Sequence, residues 1–186
     1  MQGAIVSKWD RVKRRLSRER KVLAHCHADV ASCPAAAKSF LSIIDKAPVD
    51  KGWARIREIN RSINLDIRPV SDMAQYGVVD LWVTPLMLFT SHAGDCEDYA
   101  IAKYVALQEI GVTDRNLRLV VVHDRTAGED HMVTAVRHDG QWLILDNRTL
   151  AIRQDAALPE LKPLFIIDRK GVRRVAAPPT SVAAIQ

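Results

Sequence analysis

The sequence predicts an α+β domain, on three observations. Its first half repeats apolar residues at helical spacing, its second half contains Val-, Ile- and Leu-rich runs of strand length, and Asp139-Gly140 joins two of those runs as a hairpin turn. With 186 residues, 48% hydrophobic and 26% charged, the chain can bury one core, so we read 1–186 as a single domain with a frayed tail from about Ala176, beside Pro178-Pro179. The formal charge of +5 is too small to compel a nucleic-acid partner, and the basic residues are not interleaved with an aromatic platform. No nucleic acid is expected. Leu81 to Gly94 carries no charge, yet it holds Pro85 and His92 and falls short of the roughly 20 apolar residues a bilayer crossing needs. Met1 to Lys8 lacks the apolar run of about 7 to 15 residues of a secretory leader, so the protein stays inside the cell or has lost its leader.

Trp9, Val12, Leu16, Val22 and Leu23 predict an amphipathic helix from Trp9 to about Cys26 with a solvated basic face. A second helix is expected over Ala35 to Ala47, burying Phe40, Leu41, Ile43 and Ile44, with Pro48 and Gly52 as breakers. A third spans Trp53 to Asn64 on Ile56, Ile59 and Ile63. From Asp66 to Ser91 the periodicity fades, and Pro69, Gly77 and Pro85 predict a long irregular crossing, a place where function tends to sit. A fourth helix runs from Cys96 to Ile110, with Tyr99, Ala100, Tyr104, Leu107 and Ile110 as its buried face, Asp95 as N-cap, Asp98 completing a capping box and Gly111 as terminator. Strands follow at Leu117 to His123, His131 to His138 and Gln141 to Asn147, with an edge strand at Leu164 to Asp168.

Of three cysteines, Cys26 and Cys33 are close enough to close a small disulfide loop in an oxidising compartment and would stay reduced in the cytosol. His25 and His27 beside Cys26 raise zinc as an alternative, but neighbouring helical residues diverge and no second cysteine pair completes the ligand set. Cys96 stands apart in the first turn of a helix, where amide groups and the helix dipole favour a thiolate. Asp95, Glu97 and Asp98 oppose that, so a metal ion or an arginine must offset them. Without such help Cys96 is a small residue at a helix start, and Asp95 and Asp98 are caps.

The hairpin adds the other half of a thiol acyl-transfer site. A two-residue turn at Asp139-Gly140 puts His138 opposite Gln141 and Arg137 opposite Trp142, which places His131 and Asp146 diagonally on one face, within about 7 to 8 Å at the backbone. Asp146 can then take one imidazole nitrogen and leave the other to face a thiol. The remaining histidines, His25, His27, His92, His123 and His138, are read as surface or loop residues. Trp82 is a candidate for shaping an oxyanion pocket and equally a core residue, and Asn147 is a second candidate orienter of the hairpin.

Gly94-Asp95-Cys96-Glu97-Asp98-Tyr99-Ala100-Ile101-Ala102-Lys103-Tyr104, then Leu117 to Val122, His131 and Trp142-Leu143-Ile144-Leu145-Asp146-Asn147, resemble the bacterial transglutaminase-like cysteine proteinases of the LapG type. The resemblance extends upstream through Asn60-Arg61-Ser62-Ile63-Asn64, Tyr76-Gly77-Val78 and Asp80 to Pro85, and Cys26 and Cys33 before Pro34 look like a recurrent feature of such proteins. It implies a papain-like, transglutaminase-type core with Cys96 as nucleophile, His131 as base and acid, and Asp146 as orienter. It also implies calcium as a cofactor, with Asp95 and Glu97 among its ligands, a periplasmic location, the N-terminal region of a large surface adhesin as substrate, and a membrane receptor for cyclic di-GMP as partner. Two other readings share the fold: an acyltransferase or transglutaminase resolving the thioester with an amine, and a noncatalytic peptide- or receptor-binding module.

Overall fold

The computed structural model describes residues 2–47 and 52–176. Three helices come first, α1 (Gln2–Ala28), α2 (Ala35–Lys46) and α3 (Gly52–Asp66). Helix α1 starts seven residues earlier than its apolar repeat predicts, because Ile5 joins Trp9, Val12, Leu16, Leu23 and Cys26 on the buried face. Gly52 opens α3 instead of breaking the chain, while Pro48 and the expected tail beyond Ala176 lie outside the described residues. Cys26 and Cys33 are disulfide-bonded, and His25 bonds Ser32 Oγ at 2.8 Å. The pairing excludes the zinc alternative at Cys26.

The crossing expected to be irregular contains real structure: β1 (Arg68–Pro69), α4 (Asp72–Tyr76) and α5 (Pro85–Ser91), with β2 (Ala93–Gly94) pairing in parallel with β1. Pro85 starts α5, a position where its missing N–H costs nothing. The central helix α6 (Cys96–Glu109) is buried along its length from Asp98 to Leu107, polar Lys103 included. The one-sided face expected at Tyr99, Ala100, Tyr104, Leu107 and Ile110 is therefore only part of what is buried, and Ile110, just past the helix, is half-buried. No helix among the described residues is long and apolar enough to cross a membrane.

Helix α6 packs on β3 (Leu117–Asp124) and β4 (Glu129–His138) of a six-stranded antiparallel sheet completed by β5 (Gln141–Leu145), β6 (Arg153–Gln154), β7 (Leu161–Asp168) and β8 (Gly171–Arg174). The strand order is β6-β5-β4-β3-β7-β8, so the run at Leu164 to Asp168 is interior, because β8 covers the edge expected to be free. Asp139 (φ 48°) and Gly140 (φ 81°) make the two-residue turn, and His138 faces Gln141 and Arg137 faces Trp142, as the spacing requires. The ladder ends at Thr134 and Leu145, so Asp146 and Asn147 lie beyond β5 and Asp146 is not paired with Val133. The sheet face away from α6 buries a second, smaller apolar cluster, Val120, Val122, Val133, Ala135 and Ile144.

Candidate active site

Helix α6 begins at Cys96 because the Asp95–Asp98 capping box forms. Asp98 accepts the N–H groups of Val83 (2.8 Å) and Asp95 (3.4 Å), tying the helix start to the crossing segment. Gly94 makes room for this, since a Cβ there would stand 2.7 Å from both Asp98 Oδ2 and Leu88 Cδ1. We predict that Gly94→Ala destabilises the fold by ~1–3 kcal/mol through overpacking. Calorimetry checks this, and an unchanged midpoint would contradict the close approach.

Cys96 is half-buried, and its thiol donates to Glu97 Oε2 at 2.8 Å. Helix α6 packs on β4, the strand that carries His131, and Thr134 Oγ1 of that strand donates to Ala100 O at 2.7 Å. Burial first, then the Glu97 carboxylate, push the thiol far above its ordinary range, and the Met132 amide works in the opposite direction.

His131 is buried, with Nε2 2.9 Å from Asp146 Oδ1. Its Nδ1 is also buried and has no hydrogen-bond partner. With Nε2 engaged by the carboxylate, Nδ1 is the nitrogen left for a reacting group. Burial opposes ionisation of Asp146, but the hydrogen bond and charge of His131 outweigh it and hold the carboxyl below its usual range. Because Asp146 lies past the ladder, other groups must position it. Asn64 of α3 donates to Asp146 O (2.8 Å) and Thr149 O (2.9 Å), and Arg148 donates its backbone N–H to Asp146 Oδ1 (2.9 Å). The Arg148 guanidinium braces this loop against Asp124 (2.9 Å) and Glu129 (2.5 Å). Asn64 lies in the family-like segment Asn60 to Asn64, but nothing local in the sequence says which distant loop a helical Asn will meet. Asn64→Ala is expected to cost about 1–3 kcal/mol by orphaning two carbonyls, and to lower activity through the displaced Asp146. Urea unfolding and steady-state kinetics would measure both, with no change in either opposing the anchoring role.

Asp95 and Glu97 are joined by a residue that the sequence did not single out. Carboxylate oxygens of Asp72, Asp95 and Glu97 all lie within 4.8 Å of one another. Asp72 is brought in by α4, whose N-cap Ser71 accepts from Ala74 N–H. One Asp72 oxygen accepts from Leu81 N–H, whereas Asp72 Oδ1 and Asp95 Oδ1 are buried without partners. Burial, then repulsion from Glu97, Asp98 and Asp72, push Asp95 up to about 8, and burial pushes Asp98 up to about 7. Lys8, over the Trp82 ring at 5.6 Å and paired with Asp80, adds positive charge nearby. Buried carboxylate oxygens lacking donors are the chemistry a hard, oxygen-seeking cation such as calcium fits.

Trp82 is part of the main core, and Asn147 Oδ1 is buried without a partner. Three of the histidines set aside do have carboxylate partners: His92 with Asp66 and His123 with Asp130, each at 2.9 Å and on the surface, and His138 with Asp139 at 3.4 Å. His138 stacks on Trp53, with ring centroids 6.2 Å apart.

The sequence profile of the bacterial transglutaminase-like cysteine proteinases, BTLCP, matches residues 17–157, which span α2 to α6 and the hairpin bearing His131. The chain belongs to this family. Among solved structures, Legionella pneumophila LapG is 26% identical, with 83% of this chain and 86% of LapG covered and a TM-score of 0.65. A calcium-bound form of the same LapG is 23% identical over 89% and 92% of the two chains, with a TM-score of 0.68, and shares the fold. No curated protein sequence matches. As a bacterial transglutaminase-like cysteine proteinase, the chain has its α+β architecture accounted for: a helix that starts on cysteine, laid against an antiparallel sheet.

Proposed function

We propose that the chain is a periplasmic cysteine endopeptidase that cuts the N-terminal region of a large surface adhesin and so controls biofilm attachment, using Cys96, His131 and Asp146. The observation that carries the chemistry is the meeting of α6 and β4. A thiol at the start of α6 lies on the helix that packs on β4, tied to it by the Thr134 Oγ1 bond to Ala100 O, and β4 carries a buried imidazole with one nitrogen on Asp146 and the other without a partner.

In this reading the Cys96 sulfur, its proton passed to His131, attacks the peptide carbonyl. His131 returns the proton to the leaving amine, and water activated by the same imidazole hydrolyses the thioester. Asp146 holds the ring orientation throughout. The Cys96 backbone amide, at the first position of α6, is one donor for the oxyanion. Asp72, Asp95 and Glu97 are the residues that would hold calcium, which when bound supplies positive charge against the carboxylates flanking Cys96. A calcium-bound LapG structure supports that choice of ion. The Cys26–Cys33 bond supports an oxidising compartment. A membrane receptor for cyclic di-GMP that sequesters the protease is the partner that accompanies this reading.

The test is incubation of candidate adhesin N-terminal segments with the wild-type chain and with Cys96→Ala, followed by mass measurement of the fragments. Two fragments with the wild type and an intact segment with Cys96→Ala are expected. Incorporation of an added amine in place of hydrolysis would assign a transglutaminase, and full cellular function of Cys96→Ala would assign a binding module.

A further inference from the structure

The mechanism above leaves unused the most unusual charged group of the molecule. Lys103 is 0% exposed, and its Nζ has no hydrogen-bond partner. It lies seven residues along α6 from Cys96, two helical turns on, and therefore on the same face of the helix. That face meets β4, where Thr134 Oγ1 donates to Ala100 O at 2.7 Å and Thr134 pairs with Leu145, the residue before Asp146. The ammonium stands 5.9 Å from the Tyr99 ring centroid, a contact that attracts a cation without neutralising it. An unpaired ammonium in such surroundings is costly, and a methionine would fill similar space at no such cost.

The charges around it define what it can act on. The Ala100–Thr134–Leu145 junction connects the helix face bearing Lys103 to the residue before Asp146. Asp146 favours the Lys103 ammonium, and on Asp146 the bond and charge of His131 act most strongly, with Lys103 adding to them. The other groups holding Asp146 are neutral at the point of contact, namely the side chain of Asn64 and the backbone N–H of Arg148, whose guanidinium is engaged by Asp124 and Glu129. We propose that Lys103 is a positioning residue of this site: its buried ammonium is a second counter-charge, behind His131, that helps keep the Asp146 carboxylate ionised, and so bonded to His131, as the solution becomes acidic. The proposal rests on the assignment of His131 and Asp146 as catalytic partners. Burial draws Lys103 down to about 7, against the pull of Asp146, so the ammonium is present in the acid range where Asp146 would otherwise take up a proton.

The test needs no substrate. In a Cys96→Ala background, the Asp146 carboxyl midpoint is followed by carbon-13 NMR with and without Lys103→Met, folding being verified by circular dichroism. The midpoint should rise by about half a unit to one unit when the ammonium is removed. In the active chain, Lys103→Met should shift the acid limb of kcat/KM upward by a similar amount with little change in KM. The thermal midpoint below pH 7 should hold or rise, an outcome that a merely structural lysine would not give. A folded Lys103→Met protein with an unmoved Asp146 midpoint overturns the proposal. If Lys103→Met does not fold, the reciprocal measurement decides: the Lys103 ammonium midpoint should fall in Asp146→Asn, and an unchanged midpoint overturns the proposal. An Asp146 midpoint that moves in a chain unable to cleave any peptide leaves the electrostatic pairing intact and removes the protease reading instead.

Discussion

Asp146→Asn is expected to lower kcat/KM by about 10²- to 10⁴-fold, and His131→Ala by about 10⁴-fold or more, in a peptide-cleavage assay. The two losses have different physical origins. In the proposed mechanism, His131→Ala removes the group that takes the thiol proton and returns it to the amine. Asp146→Asn retains the shape of the loop held by Asn64 and Arg148 but loses the negative charge that favours an imidazolium. The amide also presents a donor as readily as an acceptor to His131 Nε2, so the ring no longer has one preferred tautomer. The double variant should be little worse than His131→Ala alone, because the two residues act as a unit. Cleavage within threefold of wild type by folded Asp146→Asn would remove Asp146 from the catalytic set. The same residue carries a pH signature. Its carboxyl is held below the unfolded value, so its contribution to stability is present above about pH 4 and is lost as pH falls through the depressed folded value.

Calcium removal is the second large effect. Excess chelator is expected to suppress peptide cleavage and lower the thermal midpoint, both reversed by added calcium. Saturation at about 100 times Kd corresponds to about 2.7 kcal/mol of stabilisation. The sign of the pH dependence follows from the carboxyls. Asp95 and Asp98 are raised to about 8 and about 7 by burial and mutual repulsion, while their unfolded values are near 4. Between about pH 4 and pH 8 these two carboxyls therefore hold more protons in the folded, cation-free chain than in the unfolded one, and their contribution to stability declines as pH rises. Calcium needs those carboxyls deprotonated, so the increment it adds should be larger at pH 8 than at pH 5. Asp72→Asn should weaken the calcium response with the thiol and imidazole untouched, since Asp72 comes from α4 and reaches the cluster from outside α6. Undiminished cleavage and a constant midpoint in excess chelator would show that Asp72, Asp95 and Glu97 hold no essential ion.

Local rules made the central features readable in advance. The N-cap pattern Asp95-Cys96-Glu97-Asp98 is a contiguous signal, and it marks the helix start where the structure has it. The Asp139-Gly140 turn fixes strand parity, so the register from His138–Gln141 to Thr134–Leu145 follows from one dipeptide. The irregular crossing was harder, because α4 is five residues long and α5 seven, too short for a periodic pattern to separate from loop. Pro85 was misleading for a related reason: proline punctuates a chain whether it ends an element or opens one.

By itself, the amino-acid order determined the α+β class, the helix beginning on Cys96, the hairpin that carries His131 toward Asp146, and the acidic flank that asks for a cation. Each depends on residues within a few positions of one another. Tertiary structure alone decided that Asp72 would join Asp95 and Glu97, that Asn64 would hold the Asp146 loop across 82 positions, that β8 would cover β7, and that Lys103 would be sealed between α6 and the sheet. Those outcomes depend on which surfaces of distant segments are complementary once the core closes, and no local periodicity or turn signal encodes that complementarity.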